Sequence, residues 1–133
     1  MAQGTSAIET VDVAIVGGGI AGLTAALALD ARGIESAVFE AVDEVRPLGV
    51  GINLLPHSVR VLAGLGLLPA LARTGIETAE LAFYNKHGQL IWSEPRGVGA
   101  GYAFPQFSIH RGRYQKVLYD AVIERMEIGR AHV

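Results

Sequence analysis

Three glycines in G-x-G-x-x-G spacing, Gly17, Gly19 and Gly22, and one isolated carboxylate, Glu40, are the residues of this chain best suited to chemistry. They lie within VDVAIVGGGIAGLTAALALDARGIESAVFE, Val11 to Glu40. Each glycine has its own task. Gly17 permits a tight turn out of a strand, Gly19 lets a pyrophosphate approach the backbone, and Gly22 lets a helix lie close against that strand. A helix opening at Ile20 and Ala21 would add free N–H groups and a partial positive charge facing the phosphates. Glu40 is spaced to accept the two hydroxyls of a ribose. The alternative is a tight helix–strand packing in which Glu40 is simply solvated.

These residues need particular elements to hold them. Val11–Val16 is apolar and β-branched and reads as a buried parallel strand. Ile20–Arg32 reads as a helix stopped by Gly33, and Ile34–Glu40 as the next strand, completing a βαβ unit. An acid at the end of that second strand repels a 2′-phosphate, so the site suits FAD or NAD better than NADP. Spacing alone does not choose between the two.

Downstream, Asp43–Asn53 reads as a loop with one proline and two close glycines. HSVRVLAGLGLLPALARTG reads as a helix, a glycine break and a second helical turn, with Pro56 as the start. AELAFYNKHGQLIWSEP has two alternating runs around Lys86–Gln89, an antiparallel hairpin signal. RGVGAGYAFPQF reads as irregular, and SIHRGRYQKVLYDAVIERM as an amphipathic helix with Tyr114, Val117, Leu118, Ala121 and Val122 on one face.

Bulk properties narrow the class. With 133 residues, half of them hydrophobic, and a formal charge of −2, a globular domain is expected. No basic stripe suggests nucleic acid, and no apolar run is long enough for a membrane span. The absence of cysteine excludes disulfides and thiolate metal sites and favours a cytoplasmic location. No His/Asp/Glu grouping has metal-ligand spacing, and no serine sits in a nucleophile elbow. Residues 1–10 read as a leader without signal-peptide character, and 11–127 as the domain. The ending IGRAHV, Ile128–Val133, matches translated sequencing-library adapter and is expected to be a non-native tail.

Across Val11–Met126 the chain resembles the FAD-dependent aromatic-ring monooxygenases, single-component flavoprotein hydroxylases of the para-hydroxybenzoate and salicylate hydroxylase kind. The glycine knot, VFE, EVRPLGVGINLLPHSVRVLAGLGL and SIHRGRYQKVLYDAV carry the resemblance. RPLGVGIN, WSEPRG and PQFSIHRG are most similar to the phenazine-modifying branch. The resemblance covers only the first third or so of such an enzyme.

What it implies is a truncated α/β fold: a Rossmann-like βαβ FAD-binding domain of the glutathione-reductase type with an inserted antiparallel β-hairpin. Gly17, Gly19, Ile20, Ala21 and Gly22 would hold the FAD pyrophosphate, and Glu40 the adenosine ribose. Arg46 matches an arginine near the phosphates or ribose. Gly49, Val50 and Gly51 match the loop that passes the flavin ring, and Arg111 an arginine at the ribityl–phosphate part of FAD. An exposed loop arginine, an ordinary turn and a helix-surface arginine are the respective alternatives.

His110 reads as a histidine packed at a helix start, with a place beside the cofactor as the alternative, and His57 and His87 receive no role. Trp92, Tyr102, Phe104 and Phe107 are candidates for an aromatic substrate wall or for core.

In the resembled family NAD(P)H reduces FAD, and oxygen then hydroxylates a small aromatic substrate, so the cofactor carries the chemistry and no catalytic side chain is named. Other flavin chemistries (oxidase, epoxidase, halogenase) and a NAD-binding Rossmann module are the alternatives. The 133-residue chain by itself is expected to retain FAD weakly and to be inactive.

Overall fold

The computed structural model describes residues 10–41 and 49–126. Its first unit is the expected βαβ. Strand β1 (Val13–Val16) runs parallel to β2 (Ser36–Phe39), in register from Val13↔Ser36 to Val16↔Phe39. Helix α1 (Ile20–Asp30) connects them.

The helix stops two residues earlier than the pattern suggested, but by the expected device. Gly33 adopts φ +70°, and Gly33 and Ile34 donate back to the carbonyls of Asp30 and Leu29 at 2.9 and 3.0 Å. Strand β1 is less buried than an all-apolar run implies. Val13 and Ile15 are half-buried while Ala14 and Val16 are exposed. Among the described residues β1 pairs only with β2 and is covered on one face, so alternate side chains stay in solvent.

The second sheet was not legible from local pattern. The last three residues of the stretch read as a loop, 51–53, form β3 (Gly51–Leu54) together with Leu54. After it come α2 (Pro56–Gly64) and α3 (Leu68–Thr74), the expected helix, break and helix with a proline in the first turn of each. Then follow β4 (Ile76–Glu77) and the hairpin β5 (Glu80–Tyr84) and β6 (Leu90–Pro95). A short 3-10 turn over Gly97–Ala100 leads to β7 (Phe107–His110), and α4 (Arg111–Arg125) follows directly.

Strand β7 takes four residues from segments read as irregular and as helix, because its partners are distant in sequence. It pairs antiparallel with β3 on one side and β4 on the other, in the order β3-β7-β4. Ser108 fixes the register by bonding Asn53 Oδ1 at 2.7 Å and the Thr78 hydroxyl at 2.8 Å.

The hairpin is as expected. Asn85 Oδ1 accepts from the N–H groups of His87 and Gln89 at 2.9 and 3.0 Å and so closes the turn. Phe83 and Trp92 stack on it, half-exposed, with centroids 6.1 Å apart.

The core lies between α1, α4, α2, α3 and β7. Leu23, Ala26 and Leu27 of α1 meet Tyr114, Leu118 and Val122 of α4, all buried. Val59, Leu62 and Leu71 close it from α2 and α3, with Phe107 and Ile109 from β7. The face predicted for α4 is therefore the one that packs, with Val117 at its margin.

Burial of Tyr114 raises its phenol above the ordinary value of 10.0, and a hydrogen bond with the Thr24 side chain works against that shift. The unfolded chain therefore loses this proton first as pH rises, and stability falls above about pH 10. In urea titrations at pH 8 and pH 10.5, Tyr114→Phe should show a smaller alkaline loss than the parent. Equal losses would show that Tyr114 does not carry the effect.

Candidate functional site

The turn from β1 into α1 is built from glycines that are bare for different reasons. Gly17 has φ +105°, a conformation L side chains rarely adopt, and its N–H donates to Phe39 O at 2.7 Å. A Cβ on Gly22 would stand 2.0 Å from Gly17 O, so glycine there is a packing requirement. A Cβ on Gly18 would lie 3.1 Å from Glu40 Oε2.

Gly19 differs from all three. It is the N-cap of α1 in ordinary extended backbone (φ −77°, ψ −178°), and a Cβ there would meet nothing within 4 Å. Neither conformation nor packing within the described chain asks for glycine at this position.

Behind Gly19 the helix end is open. Among the described residues no side chain caps α1, and its first turn holds no acid. The N–H groups of Ile20, Ala21 and Gly22 fall within the first turn, where an α-helix supplies no acceptor, and they carry the positive end of its dipole. Such an end binds anions.

Glu40 follows β2 directly and reaches this turn. Its Oε2 accepts from Gly18 N at 2.6 Å, across 22 residues of sequence. Glu40, expected at the end of the second strand, therefore stands beside the glycine turn, held by a backbone N–H that spacing did not reveal.

Gln115 was missed altogether. From α4 its Nε2 donates to Gly18 O at 2.9 Å, so Gly18 is gripped at its N–H by Glu40 and at its carbonyl by Gln115. The available signal was its place four residues after Arg111, on the same helix face.

The second group of expected residues also converges. Arg111 opens α4 and its N–H donates to Val50 O at 3.1 Å. A Cβ on Gly49, whose φ is +130°, would sit 3.3 Å from Arg111 Cβ. Gly51 pairs with His110 across β3 and β7, and nothing lies within 4 Å of a Cβ built on it. The β3–β7 ladder thus holds the 49–51 loop against the start of α4, the helix that also touches the glycine turn through Gln115. His110 acts as a structural cap, Nδ1 accepting from Gly112 N at 3.2 Å. Arg46 lies outside the described residues.

The four aromatics separate. Phe107 is core. Trp92 stays on the hairpin with Phe83. Tyr102 and Phe104 line a cleft of about 640 Å³ together with His57, Arg60 and Arg96. Arg96 pairs with Glu94 there, while its Nε is buried with no partner among the described residues.

Among those residues no group of His, Cys, Asp and Glu could hold a metal ion, and no helix is long and apolar enough to cross a membrane.

A family described as an FAD binding domain matches residues 10–127. The chain is 51% identical over 123 residues to a phenazine 1,6-dicarboxylic acid hydroxylase of Lysobacter antibioticus, covering 92% of this chain and 30% of that protein. It is 37% identical over 123 residues to a 3-amino-4-hydroxybenzoate 2-monooxygenase of Streptomyces cremeus, covering 90% and 31%. The crystal structure of p-nitrophenol 4-monooxygenase from Pseudomonas putida shares the fold, with a TM-score of 0.76 at 23% identity, over 86% of this chain and 29% of that one. The chain thus spans about 30% of the length of these relatives. The choice between FAD and NAD that the glycine spacing left open is made by this match, and the chain belongs to the FAD-binding domain family.

Proposed function

We propose that this chain forms the N-terminal part of the FAD site of a flavin-dependent monooxygenase that hydroxylates a small aromatic or heteroaromatic substrate with NAD(P)H and oxygen. The relatives are named as a phenazine 1,6-dicarboxylic acid hydroxylase and a 3-amino-4-hydroxybenzoate 2-monooxygenase, which supports an aromatic acid as substrate. A cytoplasmic location fits a cysteine-free chain that draws on NAD(P)H.

The observation that carries the reading is Gly19. Its bareness serves nothing within the described chain, yet it stands at an uncapped helix end beside a fixed carboxylate. A pyrophosphate approaching that backbone accounts for it. Gly17, Gly19 and Gly22, with the amides of Ile20 and Ala21, would hold the pyrophosphate of FAD. Glu40 would hold the adenosine ribose and Arg46 the phosphates. Gly49, Val50 and Gly51 would leave room for the flavin ring, and Arg111 would reach the ribityl–phosphate part.

When bound, FAD supplies the electron transfer from NAD(P)H to oxygen that ring hydroxylation needs. The work of these residues is binding and orientation, and none of them moves a proton.

Protein expressed from the native gene should convert an aromatic acid to its ring-hydroxylated product when given FAD, NADPH and oxygen. NADPH consumption that yields only hydrogen peroxide across a panel of such acids would overturn the monooxygenase assignment. In the same protein, Glu40→Ala should weaken FAD binding by about 1–3 kcal/mol, the scale of a charge-assisted hydrogen bond. Unchanged affinity in a fluorescence titration would take Glu40 out of the site.

A further inference from the structure

The geometry points to Gln115 as a positioning residue that sets the direction of the Gly19 N–H toward the phosphates, an inference that rests on the FAD reading above. Gln115 Nε2 donates to Gly18 O at 2.9 Å, a bond between residues 97 apart in sequence. That carbonyl belongs to the same peptide unit as the Gly19 N–H. No peptide among the described residues is cis. In a trans peptide the C=O and N–H point in opposite directions, so a donor that holds the carbonyl toward α4 turns the amide hydrogen away from it.

The neighbouring peptide is fixed separately, because Gly18 N donates to Glu40 Oε2 at 2.6 Å. Glycine is the residue most able to rotate such peptides freely. Gly17–Gly18–Gly19 would therefore sample several orientations without these two side-chain anchors. Glu40 fixes the peptide before Gly18 and Gln115 the one after it.

The Gly18 carbonyl needs a donor that reaches it from α4, and the Gln115 amide is that donor. A carboxylate in its place would repel the Gly18 carbonyl, and an apolar side chain would leave that peptide free to turn. Arg111 and Gln115 stand on one face of α4, so one rigid helix serves both the 49–51 loop and the glycine turn.

The test uses protein expressed from the native gene with Gln115→Leu and Gln115→Glu, read by FAD titration, by ³¹P NMR of bound FAD and by thermal melting without FAD. In both variants FAD affinity should fall about tenfold, and one pyrophosphate ³¹P resonance should move. The apo melting temperature should change little in at least one of them. FAD affinity within twofold of the parent, or weakened binding with both phosphorus resonances unmoved, would overturn the inference. Failure of the unsubstituted protein to bind FAD would overturn the cofactor reading along with it, whereas a parent that binds FAD and variants that match it would overturn Gln115 alone.

Discussion

Gly22→Ala should lower folding stability by about 3 kcal/mol, at the upper end of what overpacking usually costs, and should remove FAD binding with it. A Cβ there would stand 2.0 Å from Gly17 O, and 3.2 Å from both Gly17 C and Ile15 Cγ2. The nearest atom is backbone, so no rotamer change relieves the contact. Gly17 cannot retreat easily, because its N–H is bonded to Phe39 O at 2.7 Å and ties it to the parallel strand pair. Helix α1 must move instead, drawing Leu23, Ala26 and Leu27 away from α4. Movement of the helix would also displace the N–H groups proposed to face the phosphates. Urea unfolding should show the loss, accompanied by a fall in melting temperature of roughly 10 °C for a domain of this size. A variant within about 0.5 kcal/mol of the parent would mean that the turn is looser than the structure shows.

The βαβ unit and the hairpin could be read from sequence because their signals are local. A strand, a glycine turn and a helix lie consecutively between Val13 and Asp30, and the hairpin closes through a turn at Asn85–Gln89. The β3-β7-β4 sheet could not be read this way. Gly51 and His110 pair although dozens of residues lie between them, and such short strands with distant partners carry no periodicity of their own.

The site shows the same division. The glycines and Glu40 follow a spacing rule, and the resemblance supplied Gly49–Gly51 and Arg111. Gln115 and the Gly18 N–H depend on how α4 and β2 meet the turn, which only tertiary packing decides. Arg46 belongs to the reading of the sequence and lies outside the described residues.

Gly19→Val separates a glycine needed for folding from one needed for a ligand. Gly22 is bare because the chain fills the space beside it, whereas a Cβ on Gly19 would meet none of the described residues within 4 Å. The backbone at Gly19 is extended and accepts a β-branched residue. Exchanging one uncharged N-cap for a poorer one costs no more than about 1 kcal/mol. Stability should therefore hold while the isopropyl group occupies the closest approach of the pyrophosphate, weakening FAD binding by about 3 kcal/mol or more, over a hundredfold. The opposite pattern is expected of Gly22→Ala, where FAD binding is lost together with the fold.

The central claim, that the empty space at Gly19 belongs to the FAD pyrophosphate, is tested most directly by titrating FAD into parent and Gly19→Val protein expressed from the native gene. Both should unfold within about 1 kcal/mol of each other, and the variant should bind FAD at least a hundredfold more weakly. Equal FAD affinity in the two folded proteins would contradict the account.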